Sequence, residues 1–520
     1  MKNWLKTRKA YINWLSQTRL RREFSEKITF DELSLWWATN LMDKNNRSDT
    51  KWYENLNKKI NNKNFSKINT NYIKLFIKLL LRFFFKILSI FLIKLILPND
   101  FSKFKKKKTK DCFYSLLINI VDFKGKYIDR QYGLVSLKKK DEKGYIIEIP
   151  ENIVLFKKIF SIKKKLKNVQ LDYLILNSNL KIWDIFKVYF KISYLFFKVL
   201  KIINKYNYFI INKQDCKEIL EEKLISSFFG PIQDQILKGI ALKRCIDSIE
   251  PKNFINNFCF YPQARTLYFY SSKSNMKNNI NVNHAIYSEQ NIVWNFNKKD
   301  FLKNNFKYYS PHPDIFFCKG DKDYKQLKKI FKSKKIYRIG CLKTEIRPFT
   351  FMKRKSNILK KKREKQILTV LAGETDWKSI VKILNKCNLE NFKIYLEPHP
   401  LNKKNTIEFF KQNLKSPFTE GETVDKSRLL RISNFILFGD TQLGVELAMK
   451  NFNVIRVYDS DYIPQYDINN EIPTACNEKR LTYLLNKKKL HRNVKQIEKN
   501  YFYKYDFKAS NRLQKILDNL

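Results

Sequence analysis

NFILFGDTQLGVELAMKNFNVIRVYD, residues 434–459, decides how the rest of the chain is read. Phe435–Phe438 is an apolar run of strand length, broken by turn chemistry at Gly439, Asp440 and Thr441. Leu443, Val445, Leu447 and Ala448 predict a short helix, and Val454–Val457 a second, β-branched strand after a stop at Lys450 and Asn451. A strand that feeds a helix through a polar loop leaves unpaired N–H groups at the helix start, and such an end suits a phosphate. One turn inside that helix stands Glu446, a carboxylate able to accept hydrogen bonds from sugar hydroxyls. Phosphate at the helix tip and a ribose one turn away make a nucleotide site. The competing account is an ordinary βαβ unit with a solvated glutamate.

The flanking segments repeat the pattern. QILTVLAGETDW (366–377) reads as a strand ending in a loop with Gly373, Glu374 and Thr375, with a helix from Trp377 to Leu384. Residues 392–396 form the next strand and close on EPHP (397–400), residues 427–432 a short helix, and residues 478–520 mainly helix. A compact parallel α/β unit follows. Its polar loops, Gly373-Glu374-Thr375, His399 and Gly439-Asp440-Thr441-Gln442, lie at strand carboxyl ends, where open α/β sheets bind ligands. His399 is held between Pro398 and Pro400, which fix the backbone, so its ring is placed to donate to a diphosphate.

A lysine-rich stretch, 350–365, separates this unit from an earlier series of strands and helices. Strands are expected in 111–121, 171–176, 279–288 (with His284 after the strand), 311–320 and 336–345; the aromatic run 268–270 also reads as strand-like. Residues 1–60 look helical, with Trp4, Trp14, Trp36, Trp37 and Trp52 suited to a packed cap. Residues 72–97 are the most apolar stretch and are long enough to span a bilayer, but Lys74, Lys78, Arg82, Lys86 and Lys94 interrupt them. The first four cations fall within about 120° on a helix. That describes a basic apolar helix lying in a membrane interface plane, with a transmembrane helix and a buried helix with snorkelling lysines as the competing accounts. Residues 180–206 repeat the theme, with Lys187, Lys191, Lys198, Lys201 and Lys205 inside about 80° of arc.

The 520 residues suit two to three domains. Lys and Arg outnumber Asp and Glu by 103 to 49, a formal charge of +54, so the surface is attracted to anionic partners. Nucleic acid fits poorly, because the aromatics sit inside apolar runs and no nucleic-acid module motif is present. The eight cysteines contain no CxxC pair, which argues against zinc ribbons and redox motifs. The four histidines, 284, 312, 399 and 491, are isolated, so no metal site is expected. The start, MKNWLKTRKAYINW, lacks the apolar core and cleavage site of a secretory signal.

On these motifs the C-terminal half resembles the nucleotide-binding domain of GT-B glycosyltransferases. EPHP is similar to the His-Pro motif of capsule polysaccharide, Kdo and sialic acid transferases, and GDTQLGVELAMKNFNVI to their phosphate loop and following helix. Trp36-Trp37 with LMDKN, His284-Ala285, PHPDIFFCKG and IYRIGCLKTE fall in the order of a bacterial surface carbohydrate biosynthesis family associated with O-antigen or capsule loci. The resemblance implies Glu446 as ribose ligand, Thr441 and Gln442 facing phosphate, and His399 facing the diphosphate or nucleotide monophosphate. Three departures stand out, one of them Asn451-Phe452-Asn453 in place of the usual Gly-x-Pro. YPQARTLYFY (261–270) carries Gln263 and Arg265 where an acidic residue is expected, and Asp440 stands where related enzymes often have Ser. Candidates for the acceptor base are Glu289, Asp314 and Asp129.

The reading is therefore an α/β chain of two Rossmann-like domains (GT-B) with an N-terminal helical, membrane-associating segment. The units are 1–105, 106–349 (acceptor) and 366–520 (nucleotide sugar). The implied activity is sugar transfer from a nucleotide donor to a lipid-linked or growing surface glycan, with no bound cofactor or metal, at the cytoplasmic face of the inner membrane. A CDP-glycerol-type glycerophosphotransferase, a nucleotide-sugar epimerase and a non-catalytic membrane-bound scaffold are the rivals. Catalysis falls to His399 and Glu289. Substrate contacts fall to Glu446, Gly439, Asp440, Thr441, Gln442, Gly373, Glu374, Thr375 and His284.

Overall fold

The computed structural model describes the chain except residues 1, 44–49, 63, 65–70, 106–107, 151–156, 170, 258–259, 284–294, 302–304, 306, 347–364, 424, 460–461, 463, 465, 467 and 488–489. Two parallel sheets organise it. The first has seven strands: β1 (Asp111–Leu116), β2 (Lys143–Glu148), β3 (Asp172–Ile175), β4 (Asn253–Asn256), β5 (Asn278–Val282), β6 (Ile315–Cys318) and β7 (Lys335–Arg338). Their order is β3-β2-β1-β4-β5-β6-β7, with every pair parallel. The second has six: β8 (Gln366–Ala372), β9 (Phe392–Pro398), β10 (Phe418–Glu420), β11 (Phe435–Phe438), β12 (Val454–Val457) and β13 (Thr474–Ala475). Its order, β10-β9-β8-β11-β12-β13, is again fully parallel.

Both orders are doubly wound, and each reverses direction beside its first strand, which opens a crevice at the carboxyl edge. In the second sheet the crevice lies between β8 and β11. β11 is a fully buried apolar run and β8 is buried from Leu368 to Ala372, as parallel strands covered on both faces must be. The basic stretch 350–365 lies almost wholly outside the described residues.

The tryptophan-rich start is a packed cap. Trp4, Trp14, Trp36, Trp37 and Trp52 are all buried, and Trp14 and Trp52 donate to the carbonyls of Tyr208 and Ile219. The run 268–270 is not a strand. It belongs to the helix Pro262–Ser271, which Pro262 opens at a position where its missing N–H costs nothing. A short apolar run buried all round has no periodicity to distinguish helix from strand. The last helix, Ala509–Asp518, lies in the C-terminal unit by sequence but crosses back. Ala509, Leu513 and Leu517 sit in the core under the first sheet, and the Ser510 N–H donates to Glu345 at 2.7 Å.

The apolar stretch forms one helix, Tyr72–Ile96. Its cationic stripe does not all face outward. Lys86 is buried against Asp234 at 2.8 Å, and the Arg82 guanidinium donates to the Phe229 carbonyl at 3.1 Å. Among the described residues, no helix is long and apolar enough to cross a membrane.

Candidate functional site

The crevice of the second sheet is built around a residue that the sequence did not single out. Asp376 follows the loop after β8 and is wholly buried. One carboxylate oxygen accepts the Gly373 N–H and the other accepts the Asp440 N–H, both at 2.6 Å. It thereby clasps the loop after β8 to the loop after β11. Both glycines exist for this clasp. A Cβ at Gly439 would stand 2.3 Å from the Asp376 Oδ2, and one at Gly373 2.7 Å from it. Burial, with the nearby Asp440 charge adding to it, pushes the Asp376 carboxyl up to about 6 against the pull of its two N–H donors. The Tyr462 hydroxyl joins the clasp through Thr375 at 3.0 Å, and burial drives its pKa well above the usual phenol value.

Asp440 itself is engaged. Its carboxylate pairs with Arg456, whose side chain is fully buried on β12. The same guanidinium donates to the Gly439 carbonyl at 3.1 Å and to Asn469 Oδ1 at 2.8 Å. The acid at this loop position thus comes with its own buried cation. A lone arginine inside VIRV was the available signal, since a charge in a buried strand demands a partner.

Thr441 caps the helix Gln442–Met449, its hydroxyl oxygen accepting the Leu443 N–H at 3.3 Å. Gly444 is tucked against the Phe438 ring, where a Cβ would meet ring carbon at 2.3 Å, so the helix sits hard on β11. Glu446 is 4% exposed and accepts from the Gln442 amide at 2.7 Å. That amide nitrogen also lies 3.6 Å from the Cys341 sulfur, just beyond β7, so this helix face meets the first unit. His399 follows β9, and its Nε2 stands 3.7 Å from Glu374 Oε1. Asn402 and Trp377 both donate to the Glu374 carbonyl, at 2.8 and 3.2 Å. The structure thus ties His399 to the Gly373–Thr375 loop, that loop to Gly439 and Asp440 through Asp376, and places Glu446 one turn further on.

The carboxyl edge of the first sheet carries a second polar cluster. Glu148, the last residue of β2, accepts from Lys238 at 2.7 Å, from Gln263 at 2.9 Å and from the Tyr114 hydroxyl. An acid therefore does stand beside Gln263, supplied by another strand. Arg265, 1% exposed, stacks over Trp37 at 5.5 Å, and its Nε and Nη1 find no hydrogen-bond partner among the described residues. Burial lowers its pKa to about 10. Of the base candidates, Asp129 is sealed in the core, hydrogen-bonded to Ser115, and pushed up to about 6 by burial. Asp314 precedes β6 at the amino edge and pairs with Lys334 at 3.0 Å, at the opposite end of the sheet from the crevice. Glu289 and His284 lie outside the described residues. Among the described residues no cluster of three His, Cys, Asp or Glu is placed to hold a metal ion.

No protein-family profile matches the chain, and no curated protein is similar in sequence. Among solved structures it is similar to the UDP-GlcNAc 2-epimerase of Neisseria meningitidis bound to UDP-GlcNAc, at 10% identity over 79% of this chain and 100% of that one, TM-score 0.43. It is also similar to the wall teichoic acid polymerase TagF (12% identity, 86% and 97% covered, TM-score 0.36). A third is MurG of Acinetobacter baumannii (6% identity, 79% and 100% covered, TM-score 0.37). The overlap is partial in each case, so strand order and loop chemistry carry the reading of this chain.

Proposed function

We infer that the chain transfers the sugar of a nucleotide donor to a hydroxyl of a surface-glycan acceptor. The observation that carries this is the Asp376 clasp. It fixes two loops at the switch point of a parallel sheet, directly before a helix whose second turn presents a nearly buried glutamate held by Gln442. Such a crevice positions a diphosphate at the helix N-terminus and a ribose at Glu446. Gly373, Glu374, Thr375, Gly439, Thr441 and Gln442 line the donor in this reading, and Asp440 shapes its loop through Arg456.

In the reaction, an acceptor hydroxyl attacks the anomeric carbon. The bond from that carbon to phosphate oxygen breaks, and the nucleoside diphosphate departs with the electron pair. His399, oriented by Glu374, stabilises charge on the departing phosphate, which is catalytic because that charge grows towards the transition state. The hydroxyl proton passes to a base on the first sheet's side, for which Glu289 is proposed, with His284 contacting the acceptor. A lipid-linked or growing O-antigen or capsule glycan is the proposed acceptor.

A panel of nucleotide sugars and CDP-glycerol, with product analysis by mass spectrometry, tests the reading. Transfer to a glycan acceptor is expected. Epimerised donor, glycerophosphate transfer or no turnover would each overturn it. Glu446→Gln keeps the shape but removes the charge, and should weaken nucleotide binding by about 1.5–3 kcal/mol. His399→Ala should lower turnover more than affinity.

A further inference from the structure

The surface holds a feature that sugar transfer does not use. Helix Tyr72–Ile96 and helix Ile182–Lys205 lie side by side, joined by Phe83, whose ring centroid is 5.1 Å from both Phe186 and Tyr189. The first helix is inside-out by the standards of a water-soluble protein. Its buried side includes Lys86 and Ser89, whereas Ile73, Leu81, Phe84 and Leu95 are 64–75% exposed. Two of its cations are held inward, Lys86 by its pair with Asp234 and Arg82 on the Phe229 carbonyl, while Lys74, Lys78 and Lys94 stay exposed. The outer side therefore cannot roll into the core without breaking a buried ion pair.

The second helix continues the same surface and grades it. Trp183, Phe190 and Phe197 are 62–75% exposed, and the Trp183, Phe186 and Phe190 rings follow one another along one stripe. Beyond that stripe stand Lys187, Lys198, Lys201 and Lys205, all exposed, with the Lys198 ammonium 4.8 Å over the Tyr194 ring. An exposed aliphatic and phenylalanine face with a tryptophan and lysines beside it is the composition of a surface seated between acyl chains and headgroups.

We propose that these two helices form one membrane-docking plate that lies flat in the headgroup region of an anionic bilayer. Three observations select lipid over a protein partner. Along the outward line of the first helix, Ile73, Ile77, Leu80, Phe84, Leu88 and Phe91 are exposed and apolar, whereas a protein interface needs about one hydrogen bond per 100–200 Å². The exposed apolar side chains run the length of a 25-residue helix, roughly 37 Å at 1.5 Å per residue. The lysine border and the formal charge of +54 complement anionic headgroups. The helix lies in the plane, because among the described residues none is long and apolar enough to cross. This inference is independent of the donor reading, and either can fail alone.

The experiment uses the full-length chain and vesicles of phosphatidylglycerol and phosphatidylcholine. Sedimentation with anionic vesicles should bind the protein at physiological salt, and neutral vesicles should bind it at least tenfold more weakly. Leu81→Glu/Phe84→Glu/Phe91→Glu changes only outward side chains, so the melting temperature should hold while vesicle partitioning falls at least a hundredfold. Lys187→Gln/Lys198→Gln/Lys201→Gln should remove the preference for anionic lipid and spare the residual apolar binding. Lipids brominated near the headgroup should quench Trp183 fluorescence, and the quenching should be lost in Trp183→Phe. Equal binding to both vesicle types, deep quenching at the bilayer centre, or a dimer in solution that the triple glutamate variant converts to monomer would overturn the proposal.

Discussion

Arg456→Met isolates the charge that holds the donor loop in place. In the native chain the buried guanidinium balances the Asp440 carboxylate, which is 4% exposed, and also donates to Gly439 and Asn469. Methionine fills much of the volume but takes the guanidinium away from the buried carboxylate. Breaking a buried pair from one side costs about 3–5 kcal/mol, most of it the desolvation of the orphaned charge. For a unit of this size each kcal/mol moves the melting temperature by roughly 2–4 °C, so a fall of about 6–20 °C is expected in the transition of the second sheet. Asp440→Asn/Arg456→Met removes both charges and should recover more than half of that fall. Thermal unfolding of the four members of this cycle measures the coupling directly. A change under about 0.5 kcal/mol for Arg456→Met, or a double variant whose loss equals the sum of the two singles, would refute the reasoning. Asp440→Ser, which restores the residue common at this place in resembling enzymes, should behave as a pair-breaking change here because Arg456 remains.

Three further outcomes are expected. Asp376 has a folded pKa raised from 3.8 to about 6, so between those values the folded chain keeps a proton that the unfolded chain has released. Its contribution rises as pH falls through 6 and reaches about 3 kcal/mol near pH 4; the stability difference between wild type and Asp376→Asn should carry this slope, and a pH-independent difference would contradict it. Gly439→Ala puts a methyl 2.3 Å from the clasped Asp376 oxygen, so it should cost about 1–3 kcal/mol in denaturant unfolding. Arg265→Met removes two buried donors that lack a partner among the described residues, worth about 1–3 kcal/mol each, against a desolvated cation–π contact of about 2 kcal/mol. A higher melting temperature is expected, and a marked fall would mean that the guanidinium has a protein partner.

Local pattern was enough to place much of the fold. The strands Phe435–Phe438 and Val454–Val457, and the helix Trp377–Leu384, occur where turn residues and apolar period put them. Hydrophobic period and punctuation are written residue by residue, so elements and their alternation are legible, and a parallel α/β plan follows from them. The positions of Gly373, His399, Gly439 and Glu446 relative to strand ends follow for the same reason.

The tertiary structure decided what depends on distant neighbours. Asp376 looks like one more loop acid until β8 and β11 pair and bring the Asp440 N–H to it from 64 positions away. Arg456 and Asp440 acquire meaning only together, and Glu148 reaches Gln263 only across the first sheet. The helix Tyr72–Ile96 has a readable amphipathic stripe, but which side faces out depended on Asp234 and Phe229, both far along the chain. Periodicity fixes which residues share a face. The partners that satisfy buried charge fix where that face points, and they are chosen only when the chain has folded.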